Sequence, residues 1–394
     1  MIETQTDLTP GTSAKANKAF RIPFNKPYCS GTELQNIEEV LRLGHISGDG
    51  KFTKLCSTVL ESIVGAPKAF LTTSCTHALE MAALLINIQP GDEVIVPSFT
   101  FVSTINAFVL RGAIPKFIDI RLDTLNFDEA LLPELITQRT KAIVPVHYAG
   151  VGCEMDAIDK IAASGNISVI EDNAHGLFGS YKGKPLGSFG DMSTLSFHET
   201  KNISCGEGGA LVINNNTYSE RAEILREKGT NRGRFFRGQV DKYSWVDLGS
   251  SYLPSDMLAA FLAAQLEARE AIQAQRQKIW ITYNERLAAW ADANGVRRPF
   301  VPEHCEQAYH MFYLIMPTLE IRQNFIQHLK SKGILSVYHY VPLHSSEMGS
   351  KLGGPSNCPN TDFISDRLVR LPFFNSLTSE EQDEVIDAIF QFKC

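Results

Sequence analysis

Basic residues are in deficit: 37 Lys and Arg stand against 44 Asp and Glu, a formal net charge of -7 over 394 residues. A chain of that sign does not attract polyanionic nucleic acid through its overall field, so an anionic ligand needs a local site. Long apolar runs are also missing. The longest, around HALEMAALLINI, is interrupted by Glu80 and falls short of the roughly 20 residues that a membrane span requires. The N-terminus has no basic start followed by an apolar stretch, so no secretory signal is expected and residues 1–21 read as a polar, disordered tail. Eight cysteines are scattered without a CxxC pair, and the ten histidines fall at no Cys/His ligand spacing. Reduced thiols, no metal site and a soluble cytoplasmic protein are therefore expected.

What is present is globular: 44% hydrophobic and 21% charged residues, enough chain for about two or three domains. From residue 67 short β-rich runs alternate with helical stretches: KAFLTT, THALEMAALLIN, DEVIVP, STINAFVLRG, IPKFIDI, KAIVPVHY, a helix from Glu154, then NISVIEDNA. Such repeats predict an α/β fold with a mostly parallel sheet, its ligands at the carboxyl ends of the strands. Ahead of them a helix opens at Thr32, with Gln35 placed for a capping box, and stops at Gly44; another ends near Gly65. Pro254 to about Ala293 reads as one long helix. The rest, with a last helix from Ser379, suggests a smaller α+β domain. The expected division is 22–262 for the large domain and 263–394 for the small one with its linking helix.

Four segments suit one ligand crevice. In LTTSCTHALEMA a strand ends in Ser74, Cys75 and Thr76 where a helix begins, a natural anion cradle, although the same residues suit plain N-capping. PSFTFVST brings Phe101, a flat ring that can stack on a ligand or simply join the core. NISVIEDNAHG runs a buried strand into Asp172, whose charge needs a partner there, with His175 just beyond. SFHETKNISCGEGG carries Ser196 and Lys201 ahead of Gly206, Gly208 and Gly209; a partly desolvated lysine can attack a carbonyl. Together the four describe a pyridoxal phosphate (PLP) site: phosphate cradle, ring stack, acid on the ring nitrogen, lysine for the covalent link.

Across residues 22–394 the chain resembles the DegT-type sugar-nucleotide aminotransferases. The stretches GDGKFTKLC, VPVHYAGVGCEMD, SFHETKN, REKGTNRGRFFRGQVDKY and GSSYLPSD resemble a narrower group within that family, which aminates carbon 4 of dTDP-4-keto-6-deoxyglucose. The resemblance implies the type I PLP aminotransferase fold, with pyridoxamine phosphate (PMP) as the intermediate form of the cofactor. It implies L-glutamate as amino donor and a homodimer with active sites near the subunit interface. By the same resemblance Lys201 bonds to the cofactor, Asp172 pairs with the pyridine nitrogen, and Ser74, Cys75, Thr76 and Ser196 hold the phosphate. Phe101 would stack on the ring and His175 would lie beside it. Many members carry Gly-x-Asn-x-Arg before the long helix, whereas this chain has Gly249-Ser250-Ser251-Tyr252-Leu253, making Ser251 the candidate for the missing asparagine. Related dehydratases replace the lysine by histidine, so Lys201 favours transamination over dehydration or mere cofactor binding. Lys228, Arg232 and Arg237 are candidates for the nucleotide diphosphate because guanidinium and ammonium groups suit phosphates. His310 and Tyr340 are candidates for the sugar pocket. Which face of carbon 4 receives its proton is left open by the residues.

Overall fold

The computed structural model describes residues 20–354 and 356–393. The N-terminal tail lies outside the described residues except for its last two positions, Phe20 and Arg21. The strands are β1 (Lys68–Thr72), β2 (Glu93–Pro97), β3 (Ile114–Ile118), β4 (Thr140–Ile143), β5 (Ser168–Asp172), β6 (Ser180–Tyr181), β7 (Lys184–Pro185), β8 (Met192–Ser196), β9 (Gly209–Ile213), β10 (Cys305–Glu306), β11 (Tyr313–Ile315), β12 (Val337–Tyr338) and β13 (Leu368–Arg370). Seven of them form the central sheet in the order β1-β9-β8-β5-β4-β2-β3. Pairing is parallel from β8 to β3, and β9 runs against both its neighbours. The mostly parallel sheet read from the sequence is thus found, with one reversed strand. Glu93–Pro97 and Gly209–Ile213 are buried at every position, the continuous burial of strands covered on both faces.

Helices α1 (Glu33–Leu43), α2 (Lys51–Val64), α3 (Cys75–Leu85) and α4 (Ser103–Val109) flank the first half. Gly44 and Gly65 end α1 and α2 in the left-handed conformation, at φ 71 and 75. The capping box expected at Thr32 does not form; Thr32 makes no side-chain cap bond. Glu33 takes over the junction, accepting from Ser30 N–H at 2.6 Å, Gly31 N–H at 2.8 Å and Gln265 Nε2 at 2.6 Å. These bonds hold its carboxyl low, at about 2, against the opposing effect of burial.

The long helix expected over 254–293 is three: Asp256–Glu267, Arg269–Arg286 and Ala288–Ala293. The first is apolar almost all round and packs into the cluster with Val40, Phe52 and Leu60. The second is polar and buries one stripe, whose Ile272 still joins the cluster of the first helix while Ile279, Trp280 and Tyr283 pack into the core of the C-terminal part. One straight rod cannot serve both surfaces, and the chain bends at Ala268. In the C-terminal part β11, β13 and β12 make an antiparallel sheet in that order. Ile22 pairs in parallel with Ile334 and joins that part's core. Asp119, just past β3, fastens helix Pro359–Ser365 by accepting from Asn360 N–H, Thr361 N–H and Thr361 Oγ1 at 2.8 to 2.9 Å. Among the described residues no helix is long and apolar enough to cross a membrane.

Candidate active site

The register of the sheet builds the site. Thr72 at the end of β1 and Ser196 at the end of β8 both pair with Gly209 at the start of β9, while Asp172 pairs with Thr194. Three strand ends and one strand start therefore meet at one edge. A cavity of about 630 Å³ opens there, and Ser74, Cys75, Thr76, Phe101, Asp172, His175, Ser196, Lys201, His310 and Tyr340 all line it.

Ser74 caps α3, its Oγ accepting from His77 N–H at 3.1 Å. Capping leaves the other N–H groups of the first turn without helical partners, and the helix dipole backs them. A Cβ on Gly209 would lie 2.4 Å from Cys75 N and from the Ser74 carbonyl carbon, so only glycine lets β9 pass this close to the helix start. Burial pushes the Cys75 thiol up to about 12, which keeps it neutral in the cradle.

Asp172 is buried, with Thr104 Oγ1 donating to its Oδ2 at 2.7 Å and Ala174 N–H to its Oδ1 at 3.2 Å. Burial raises its pKa, opposed by those two bonds and by Lys201. Burial conversely pushes Lys201 down to about 8, opposed by Cys75 and Asp172 and reinforced by Arg370. Each group's charge is thus penalised by desolvation and favoured by the other's opposite sign. Glu171 braces the strand end from the opposite face: it accepts from His147 Nε2 at 2.7 Å, Gly187 N–H at 2.9 Å and Phe189 N–H at 2.6 Å.

Beside Lys201, Asn202 donates through Nδ2 to the Ala308 carbonyl at 2.6 Å and accepts on Oδ1 from His310 Nδ1 at 2.9 Å. That bond leaves His310 Nε2 as an acceptor. His310 stacks on His175 with centroids 4.2 Å apart. His339 lies beyond, taking a 3.0 Å hydrogen bond with the Tyr148 hydroxyl. Burial drives all three imidazoles well below their ordinary pKa, so this wall is neutral. Phe101 is 58% exposed at the rim, 6.5 Å from the Tyr340 ring.

Ser251, Lys228, Arg232 and Arg237 lie away from this cavity. Ser251 bridges Glu227, Lys228 and Arg232 approach Glu227 at 3.6 and 3.5 Å, and Arg237 forks onto Glu223 at 2.7 and 2.9 Å. His339, which the sequence offered with Tyr340 as a polar aromatic for the sugar pocket, lines the cavity; Arg370 and Phe24 line it, and Asn202 braces it, without having been singled out from the sequence. A signal for Arg370 was there: a lone arginine inside the apolar run LVRLPFF, where a charge needs a reason.

The residues fit PLP. The cradle suits its phosphate, a buried carboxylate faces the same space as a lysine of lowered pKa, and His175 Nδ1 is buried with no partner in the chain.

Comparison with known proteins follows the same line. The model of the DegT/DnrJ/EryC1/StrS aminotransferase family matches residues 27–390. MJ1066 of Methanocaldococcus jannaschii is 33% identical over 380 residues, covering 94% of this chain and 97% of that protein. The spore coat polysaccharide biosynthesis protein SpsC of Bacillus subtilis is 32% identical over 377 residues, covering 93% and 96%. Spr1654 of Streptococcus pneumoniae, assigned as a sugar aminotransferase, superposes in its PLP form with a TM-score of 0.85 at 28% identity, covering 93% of this chain and 97% of that one; its PMP form superposes equally well. The chain has the type I aminotransferase fold and belongs to the DegT/DnrJ/EryC1/StrS family of PLP-dependent sugar aminotransferases.

Proposed function

We propose that the protein transfers the amino group of L-glutamate to carbon 4 of dTDP-4-keto-6-deoxy-D-glucose, giving dTDP-4-amino-4,6-dideoxy-D-galactose and 2-oxoglutarate. One observation carries the chemistry: Lys201 and Asp172 face one cavity whose wall is the start of α3. The sugar, its nucleotide and the galacto configuration rest on the likeness of GDGKFTKLC, SFHETKN and REKGTNRGRFFRGQVDKY to the narrower group.

Ser74, Cys75 through its backbone, Thr76 and Ser196 hold the cofactor phosphate, and Phe101 covers its ring. His175 sits beside that ring and offers its unpartnered Nδ1. When bound, PLP supplies a sink for the electron pair left by the departing α-proton and a carrier for the amino group. Asp172 keeps a proton on the pyridine nitrogen; Thr104 and Ala174 fix its two oxygens for that task. Lys201 would hold the cofactor through Nζ in the resting enzyme. Once displaced by the donor, its amine takes the proton from the α-carbon and later delivers one to the sugar, and a pKa near 8 suits both directions. The neutral histidine wall and Tyr340 face the sugar without adding charge.

The enzyme acts as a cytoplasmic homodimer. Ser251 reaches the cofactor phosphate of the neighbouring subunit, and Lys228, Arg232 and Arg237 hold the nucleotide diphosphate there. Supporting this, the adjoining loop exposes Phe236 at 70% and Trp245 at 77%, apolar area that a second copy would cover. Incubation with PLP, glutamate and dTDP-4-keto-6-deoxyglucose, followed by NMR, should show an axial amine at carbon 4. An equatorial amine overturns the galacto assignment, and no amine at carbon 4 overturns the substrate.

A further inference from the structure

Arg370 closes β13, where it pairs with Tyr313 and Val337, and its side chain is the one guanidinium among the described residues lining the cavity. Its Nε is buried with no hydrogen-bond partner, and no carboxylate of the described residues forms an ion pair with it. Its surroundings are aromatic. The guanidinium lies 4.5 Å from the Phe24 ring centroid, and the phenols of Tyr148 and Tyr340 are the groups whose fields support its charge. Guanidinium keeps its proton even when buried, so the chain holds a permanent, uncompensated cation at its reaction site. The two most deeply buried arginines have partners for their charge: Arg276 donates to the Tyr309 and His310 carbonyls and to Asn375, and Arg226 donates through Nη2 to Asp49. Other arginines, Arg111 among them, also bury an Nε without a partner, but among the described residues only Arg370 lines the cavity that holds Lys201 and Asp172.

We propose that Arg370 receives a carboxylate of the amino donor, an assignment that rests on the transaminase reading above. The charge count favours a carboxylate over the diphosphate of the sugar nucleotide. One planar monoanion matches one planar fork and neutralises it. A diphosphate carries about two charges and would leave one unmatched in a cavity whose one other inward cation, Lys201, is committed to the chemistry. The aromatic frame also excludes water, which strengthens a paired charge. The acceptor sugar is uncharged around its reacting carbon and makes no demand on this position. Arg370 therefore separates the two substrates: it anchors the one that brings a carboxylate to the reacting centre and is idle for the other.

Arg370→Gln and Arg370→Lys test this, since among the described residues the side chain makes no hydrogen bond or ion pair that the substitution would break, and the Phe24 ring contact is the one it gives up. Three quantities are read on cofactor-loaded protein: the dissociation constant for glutamate in the donor half-reaction, followed by cofactor absorbance; calorimetric binding of glutarate, which cannot react; and inhibition by dTDP. Arg370→Gln should weaken glutamate and glutarate by about 30-fold or more, the scale of a paired charged hydrogen bond, with Arg370→Lys in between and dTDP within about threefold of wild type. Unchanged glutarate and glutamate binding overturns the assignment. So does equal or greater loss of dTDP binding, which would give the arginine to the nucleotide. A wild-type protein that binds glutarate through Arg370 yet never reacts with glutamate would instead refute transamination and leave the anion site standing.

Discussion

The lowered pKa of Lys201 is the most exacting prediction, because the structure supplies both its size and its causes. An ordinary lysine titrates near 10.4, so at pH 7 about one amine in 2,500 is unprotonated. At about 8, Lys201 would present about one in ten, roughly 200 times more nucleophile. Competitive acetylation of cofactor-free protein between pH 6 and 11, with peptide mapping, should give Lys201 a midpoint near 8, about two units below the ordinary lysine value. Asp172→Asn should move the midpoint lower, because the carboxylate supports the ammonium; Arg370→Gln should move it higher, because the guanidinium opposes it. The same numbers bear on stability. A lysine whose folded pKa is depressed costs stability wherever it is charged in both states, below about pH 8, and the cost is relieved as pH rises toward 10.5. The fall is worth about 3 kcal/mol in full and about 1 to 2 after allowance for its half-buried position. Lys201→Met should therefore be the more stable protein to urea at pH 7, with the advantage shrinking by pH 10. A Lys201 midpoint above 10, or a stability difference independent of pH, refutes the electrostatic account of the site.

Asp172→Asn should still link cofactor to Lys201, detectable by borohydride reduction and peptide mapping, yet slow the glutamate half-reaction by about 10³-fold in single-turnover absorbance. Gly209→Ala places a methyl 2.4 Å from the start of α3; it should lower stability to urea by about 1 to 3 kcal/mol and weaken PLP binding in a fluorescence titration. Asp119→Ala strips three donors of helix Pro359–Ser365 of their acceptor and should cost about 2 kcal/mol in urea unfolding. Replacing Arg232 and Arg237 together by alanine should raise the KM for the sugar nucleotide about tenfold and leave the glutamate half-reaction unchanged.

The parallel sheet and the four cofactor segments were legible because each joins an apolar run to a punctuating residue, as in VIED at Asp172 and LTTS at Ser74. That the segments share one crevice was read from their complementary chemistry, but the geometry that brings them there was not legible, since it depends on the pairing of Thr72 and Ser196 with Gly209, and register is a long-range property. The break at Ala268 escaped detection because it contains neither glycine nor proline; two different surfaces impose it. Local pattern also overstated the cap at Thr32, where a glutamate one residue later binds the same turn and a distant glutamine as well. Arg370 shows the opposite failure: the residue stood out in its strand, but only burial without a partner gives it meaning.

Asn202 sets a dimension. One amide, gripping the Ala308 carbonyl and the His310 ring, fixes the gap between the lysine's backbone and the imidazole wall at a few ångströms. In the proposed reaction an amino acid and a nucleotide-linked hexose, several-fold apart in bulk, would each bring one atom to the same amine. Since the Asn202 side is clamped, the difference has to be absorbed opposite, where Phe101 stands half in solvent next to Tyr340. The exposed Phe101 at the rim is then the side with room to spare, and the clamped imidazole wall the side without.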